Sequence, residues 1–227
     1  MPLQSSLPEA LIGESVVLRR HRPENLAAYR RWFGDPEVAR LTRYRDGPMR
    51  PDEIERFFTA RVVGIDSLTL AVHLRKTDRL IGSCAFSQLD ADNRSALYHI
   101  TIGEKDLWGR GYGTEATELM LRHGFQNLGL HRISLSVFAF NERAIRSYRK
   151  VGFVVEGRAR DAIFRDGRFW DEISMSLLEP EWRALHAPRR GSKSTAAAST
   201  TAASGSAASS SAASSAATTS PADAGGR

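Results

Sequence analysis

Apolar residues recur along this chain in two rhythms. Leu68, Leu70, Val72 and Leu74 alternate with Thr69, Ala71 and His73, the period of two that sends successive side chains to opposite faces of a strand. Lys76-Thr77-Asp78 reads as a turn, and Leu80 to Phe86 as the returning strand of a hairpin. Asp90 to Asn93 is a second turn, and the strand Leu97 to Ile102 sets Tyr98, Ile100 and Ile102 on one face and His99 and Thr101 on the other. Ile133, Leu135 and Val137 alternate with Ser134 and Ser136 in a further strand. The helical rhythm appears in Leu26, Tyr29 and Phe33, opened by Pro23-Glu24 and broken by Gly34-Asp35-Pro36. A second helix is expected from Pro51, with Asp52 and Glu53 in its first turn and Ile54, Phe57, Phe58 and Arg61 following. Thr114 to Leu128 is a third, ended by Gly129, and Asn141 to Lys150 a fourth, stopped by Gly152. Short apolar runs at Val16 to Leu18, Phe153 to Glu156 and Ile173 to Leu177 complete the strands. The sum is a mixed α/β arrangement around one central sheet, without internal repeats.

Composition changes this picture at the C-terminal end. From Gly191 onward the chain is almost entirely Ser, Ala, Thr and Gly, with no aromatic or large aliphatic residue. Such a segment buries too little apolar surface to offset the entropy of ordering it, so 187–227 is expected to be a disordered tail and 8–186 a single folded domain. The formal charge is +6. Arg189, Arg190, Lys193 and Arg227 against Asp223 give the stretch from Ala187 a balance of +3, which leaves +3 on the rest. A mildly basic domain suits an anionic ligand and does not by charge indicate a nucleic-acid partner. The single cysteine, Cys84, excludes an internal disulfide and lies in an apolar run, as a small buried strand residue would. No apolar run reaches membrane-spanning length, and the Met-Pro-Leu-Gln-Ser start lacks the pattern of a signal peptide, so a soluble cytoplasmic protein is expected.

Candidate chemistry concentrates in two segments. Trp108-Gly109-Arg110-Gly111-Tyr112-Gly113-Thr114 lies between a strand and a helix. Three glycines at alternate positions permit positive φ angles and close approach to a ligand. The amides of this turn, with those of the next helix's first turn, form an anion pocket suited to a diphosphate, and Arg110 adds charge at its rim. Alternating glycines also make ordinary tight turns. The Gly-Lys-Ser/Thr ending of a Walker loop is missing, and so is the further glycine of a dinucleotide fingerprint. In the second segment, Asn141 to Phe153, Asn141 can cap its helix or donate its amide to a ligand. Tyr148 carries a phenol with an ordinary pKa near 10, a proton donor suited to a thiolate of ordinary pKa about 8.5. A core tyrosine is the plainer alternative.

Together these segments resemble the GCN5-related N-acetyltransferases (GNAT), in particular the branch of ribosomal-protein N-terminal and spermidine acetyltransferases. The matching stretches are Ile100 to Ala116, Leu130 to Val137, Asn141 to Phe153, Glu156-Gly157-Arg158 and Asp166 to Asp171, spanning roughly Val16 to Leu178. Trp108 departs from the Gln or Arg that usually opens the phosphate motif, although Trp is familiar there in this branch. The resemblance implies a single domain with a central mixed, mostly antiparallel sheet flanked by helices. It implies acetyl-CoA as co-substrate, an amine acceptor, no metal, and a fold whose members often form homodimers. Ile100, Thr101 and Ile102 would pair with the pantetheine arm. Trp108, Gly109, Arg110, Gly111, Tyr112, Gly113 and Thr114 would hold the diphosphate, and Asn141, Ala144, Ser147 and Lys150 would line the far side of the cofactor. Tyr148 would protonate the leaving thiolate, with His99 the candidate base, Glu104 behind it and a water chain as another route.

For the acceptor, the N-terminal helical region between Arg30 and Arg61 holds eight arginines against six acids. A polycation site should be rich in carboxylates. A protein N-terminus or a small amine metabolite is therefore expected ahead of a polyamine or an aminoglycoside. A non-catalytic acyl-CoA-binding module is the reading from another class.

Overall fold

Val16, Val17 and Leu18 are all buried, so the first strand expected from the sequence, β2 (Val16–Arg20), is an interior one. A short strand absent from that expectation, β1 (Ala10–Ile12), covers its outer edge. This computed structural model describes residues 8–64 and 68–187. Apart from Ala187, the tail expected at 187–227 lies outside the described residues.

Six further strands complete one sheet: β3 (Leu68–Leu74), β4 (Leu80–Asp90), β5 (Ser95–Ile102), β6 (Arg132–Phe138), β7 (Val154–Arg165) and β8 (Arg168–Leu178). Their order is β1-β2-β3-β4-β5-β6-β8-β7, antiparallel throughout except for the parallel pair β5 and β6. The hairpin expected from Lys76-Thr77-Asp78 is present, and Asp78 takes a positive φ of 56°. β7 and β8 are far longer than the short runs expected at Phe153 to Glu156 and Ile173 to Leu177. Exposed residues such as Arg158, Arg160 and Asp161 interrupt the apolar alternation of β7, and pairing with β8 extends the strand through them. The two strands meet at Asp166-Gly167, both at positive φ (53° and 76°), as a two-residue hairpin turn requires.

Helices cover both faces. On one side α1 (Leu26–Phe33), α2 (Pro36–Thr42) and α3 (Pro51–Phe57) enclose a core of Tyr29, Trp32, Val38, Ile54 and Phe58. α2 corrects the reading of Gly34-Asp35-Pro36 as a break alone. The Asp35 carboxylate accepts from the N–H groups of Glu37 (2.8 Å) and Val38 (3.2 Å), and Pro36 opens the new helix. On the other side lie α4 (Tyr112–Arg122), α5 (Glu142–Lys150) and α6 (Glu179–His186). The helix expected at Thr114 begins two residues earlier and widens into a π-type turn from His123 to Asn127. α6 was not expected. It is fastened by Trp182, which is buried with its ring 5.5 Å from that of Phe125.

The feature that makes room for a site is the junction of β5 and β6. They pair only at Ser95↔Arg132, Ala96↔Ile133 and Leu97↔Ser134. Beyond these pairs β5 continues along β4 as far as Ile102, and β6 continues along β8 as far as Phe138. Between the two diverging halves of the sheet lies a wedge with unpaired strand edges on both sides.

Candidate active site

Backbone alternation decides which atoms of β5 face this wedge. The Gly103 N–H donates to the Ile81 carbonyl at 2.9 Å, and the pairs Ile102↔Gly82, Thr101↔Ser83 and Ile100↔Cys84 follow in register. In an antiparallel ladder alternate residues turn their N–H and C=O groups to the same partner. Thr101 and His99 therefore spend theirs on β4, while Ile100 and Ile102 turn theirs toward β6. The expectation that Ile100, Thr101 and Ile102 all offer main-chain pairing is corrected in this respect: Thr101 contributes only its side chain. Even at Ile102 the carbonyl is occupied, since it accepts from the Trp108 indole N–H at 2.7 Å.

A cavity of about 660 Å3 fills the wedge and runs out along the glycine turn. It brings together the candidate residues named from the sequence except Arg110 and Glu104, which do not line it. His99, Ile100, Thr101 and Ile102 form one wall, with Trp108, Gly109, Gly111, Tyr112, Gly113 and Thr114 at one end. Asn141, Ala144, Ser147, Tyr148 and Lys150 form the opposite wall. Of the three glycines, Gly109 and Gly111 take positive φ (77° and 88°), and Gly113 does not. Gly113 already lies in the first turn of α4, where φ is negative, so the proposed left-handed role falls on two positions. Gly111 is the left-handed residue preceding α4 and no side chain caps the helix. The first-turn amides are thus directed at the cavity end without an internal partner.

On the opposite wall the Asn141 side chain accepts from the Ala144 N–H at 3.3 Å and so caps α5. Thr114 Oγ1 and Ser147 Oγ lie 2.8 Å apart and tie α4 to α5. Tyr148 is almost fully buried and meets Phe153 edge-on at 5.8 Å. Burial alone pushes its phenol up to about 12, with no hydrogen bond contributing, so its proton is retained and available. Its neighbour Tyr98 is committed elsewhere: its hydroxyl donates to Thr117 Oγ1 at 3.0 Å, which donates to the Gly113 carbonyl at 2.7 Å. His99 stands on the exposed side of β5 with Nε2 2.7 Å from Ser87 Oγ, and partial burial lowers its pKa below 6.5. Glu104 does not line the cavity. It is engaged by Trp32 Nε1 (2.8 Å), Arg79 (2.6 Å) and Arg31 (3.1 Å), which together hold it ionised. Cys84 is buried in β4 and its thiol is raised by that burial, so it is a packing residue.

Several lining residues escaped the sequence reading. Arg143 projects from the first turn of α5 and lays its guanidinium 3.9 Å above the Trp108 ring, so Trp108 serves as a platform for a cation. Arg143, Arg146, Ser147 and Lys150 share one face of α5 by the spacing i, i+3, i+4, i+7, a signal present in the sequence. Away from the glycine turn the cavity is closed by Val38, Leu41, Thr42 and Tyr44 from α2 and the turn after it, and by Ser136 and Phe138 from β6. Tyr44 meets Phe138 edge-on at 5.3 Å and its hydroxyl bonds the Glu172 carboxylate. The turn that carries Tyr44 is held by Arg165, a side chain only 1% exposed, whose Nη2 donates to the Arg43 carbonyl at 3.0 Å.

A diverging mixed sheet, a capless helix start beside the fork and a buried phenol between the walls define an acyltransferase. Comparison with known proteins agrees. The GNAT acetyltransferase domain profile matches residues 15–154, and the chain belongs to that family. An uncharacterised N-acetyltransferase, p20, of Bacillus licheniformis is 29% identical over 177 residues, 77% of this chain and 98% of that protein. The spermidine N(1)-acetyltransferase of Escherichia coli (strain K12) is 29% identical over 164 residues, 71% of this chain and 80% of that protein. Among solved structures, the spermidine N-acetyltransferase of Vibrio cholerae in complex with CoA and spermine shares the fold with a TM-score of 0.67 at 23% identity, over 75% of this chain and 99% of that one. A GNAT-family acetyltransferase from Bacillus anthracis shares it with a TM-score of 0.66 at 21% identity, over 76% and 99%.

Proposed function

We propose that this chain transfers an acetyl group from acetyl-CoA to a primary amine, a protein N-terminus or a small amine metabolite, by direct attack in a ternary complex. The observation that carries the reading is the wedge between β5 and β6, lined by free main-chain groups, the glycine turn and Tyr148. Acetyl-CoA supplies an activated thioester when bound. The residues present fit it. The first-turn amides of α4 and the cations Arg143, Arg146 and Lys150 suit its phosphates, and among the described residues no Asp or Glu lines the cavity to repel them. The amides of Ile100 and Ile102 suit an extended amide-bearing arm laid along the open strand edge.

In the reaction the amine lone pair forms the C–N bond to the thioester carbonyl carbon and the C–S bond breaks. One proton leaves the nitrogen and one reaches the sulfur. Tyr148 is the donor to sulfur, since its phenol is protonated and free of other partners. His99 is the group placed to take the nitrogen's proton, directly or through water, and its lowered pKa keeps it neutral at pH 7. Holding both reactants in one cavity removes a large entropic part of the barrier.

The test is calorimetry with acetyl-CoA followed by a thiol-release assay against polyamines, peptides of varied first residue, amino acids and aminoglycosides. Binding with acceptor-dependent thiol release is the expected result. Absence of acetyl-CoA binding removes the assignment. Binding without release from any amine would favour a non-catalytic acyl-CoA-binding module.

A further inference from the structure

Resting on the proposed acetyl transfer, we infer that the acceptor carries a single amine beside an apolar or aromatic group and that polyamines are poor substrates, because the acceptor end of the cavity is largely apolar and, among the described residues, no carboxylate lines it. The phosphate-binding features lie at the glycine turn, so the acceptor enters from the other end, where Val38, Leu41, Tyr44 and Phe138 form the wall. Among the described residues, the polar side chains there are neutral or nearly so: Thr42, Tyr44, Thr101, Ser136 and His99. A polyamine that presents one nitrogen for acetylation keeps further ammonium groups, which need carboxylates or must lose their hydration unpaired.

The acids on neighbouring elements do not make up the deficit. Asp35 and Glu37 face Lys105 at 2.7 and 3.2 Å, and Asp166 accepts from Arg40 Nε at 2.8 Å. Asp46 lies 3.4 Å from the buried Arg165, and Glu172 accepts from Tyr44. Each already has a partner that an ammonium group would have to share, and none lines the cavity itself. The aromatic wall continues outward from Phe138 to Phe140 (5.3 Å) and from Phe140 to Trp170 (5.2 Å), and it already carries cations. Arg40 lies 4.5 Å over Phe140 and Arg168 lies 3.5 Å over Trp170. A second positive charge on the acceptor would meet these arginines as well.

The test compares three acceptors at saturating acetyl-CoA: 2-phenylethylamine, a short peptide beginning with an apolar residue, and spermidine. The first, the second or both are expected to exceed spermidine in kcat/KM by at least about tenfold. Turnover of the phenylethylamine alone assigns a small-molecule acceptor, and turnover of the peptide alone a protein N-terminus. Leu41→Glu, which places a carboxylate in the wall, is expected to raise kcat/KM for spermidine by about tenfold with the acetyl-CoA Kd unchanged. Thr42→Glu repeats the test at the neighbouring lining position if the first variant does not fold. Spermidine matching or exceeding the apolar amines in the wild type overturns the inference, as does a lack of turnover of both apolar amines. Because acetyl-CoA binding is measured separately, such a result leaves the acetyl-CoA assignment standing, whereas loss of binding removes both.

Discussion

Replacing Tyr148 by phenylalanine deletes one hydroxyl and keeps the ring. The side chain is 8% exposed and packs on Phe153, a contact that Phe retains, so the fold should be undisturbed. A positioned proton donor contributes about 100- to 10,000-fold to rate, or roughly 3 to 5 kcal/mol of barrier. Where in that span Tyr148 falls depends on matching donor to acceptor. Burial raises the phenol to about 12. Against a thiolate at its ordinary value of about 8.5, proton transfer would be uphill by roughly 3.5 pH units, about 5 kcal/mol. A thiolate released into the same poorly hydrated surroundings would be raised in the same direction, which reduces the mismatch. A loss near the lower limit, about 100-fold in kcat, is therefore expected. The acetyl-CoA Kd and the melting temperature should be unchanged. The assay is steady-state thiol release for kcat, with calorimetry for Kd and thermal unfolding as a control. The pH profile adds a second readout. A phenol titrating at about 12 predicts no alkaline decline from its ionisation up to about pH 10. A base with the lowered pKa of His99 predicts an acidic limb below pH 6.5, absent in His99→Gln. An unaltered kcat in Tyr148→Phe refutes the assignment of the proton donor.

Three further outcomes are expected. Gly111→Ala leaves its new Cβ in open space but forces φ of +88° on a residue with a side chain, costing about 1–2 kcal/mol in denaturant unfolding and weakening CoA binding in calorimetry. Arg143→Ala removes the guanidinium stacked on Trp108. Loss of a cation at the phosphates, about 1.5–3 kcal/mol, should raise the CoA Kd roughly 10- to 150-fold, while loss of the stacking on Trp108 costs about 0.5–1 kcal/mol of stability. Glu156 is held at about 2, chiefly by its hydrogen bonds from Arg132, below its ordinary 4.5. Because the folded-state pKa is depressed, its contribution is complete above pH 4.5 and is lost as pH falls toward 2. The pair is partly exposed, so the effect is at most about 1 kcal/mol, and Glu156→Gln should flatten that part of the stability profile.

The elements most legible in the sequence were those whose burial follows a clean period. β3 is legible at its full length because Leu68, Leu70, Val72 and Leu74 alternate with Thr69, Ala71 and His73 in the sequence and a turn follows it at Lys76-Thr77-Asp78. Gly129 marked the end of the α4 region because it must take φ of +66°, a local requirement. α2 was hidden because Asp35-Pro36 ends one helix and begins the next, and local sequence does not say which of the two follows. β7 was hidden because four of its 12 residues, Glu156, Arg158, Arg160 and Asp161, are polar and exposed and break the apolar alternation, so only pairing with β8 extends it.

Local chemistry therefore determined the glycine turn, the Asn141-capped helix α5 and the presence of a phenol in α5. Each depends on the conformation or composition of a few adjacent residues. Only the tertiary structure decided that β5 and β6 part after Leu97, that the Ile102 carbonyl is taken by Trp108, and that α2, Tyr44 and Phe138 close the acceptor end. Those outcomes turn on contacts between segments far apart in the chain, where packing and the direction of backbone groups are set by partners that no local pattern names.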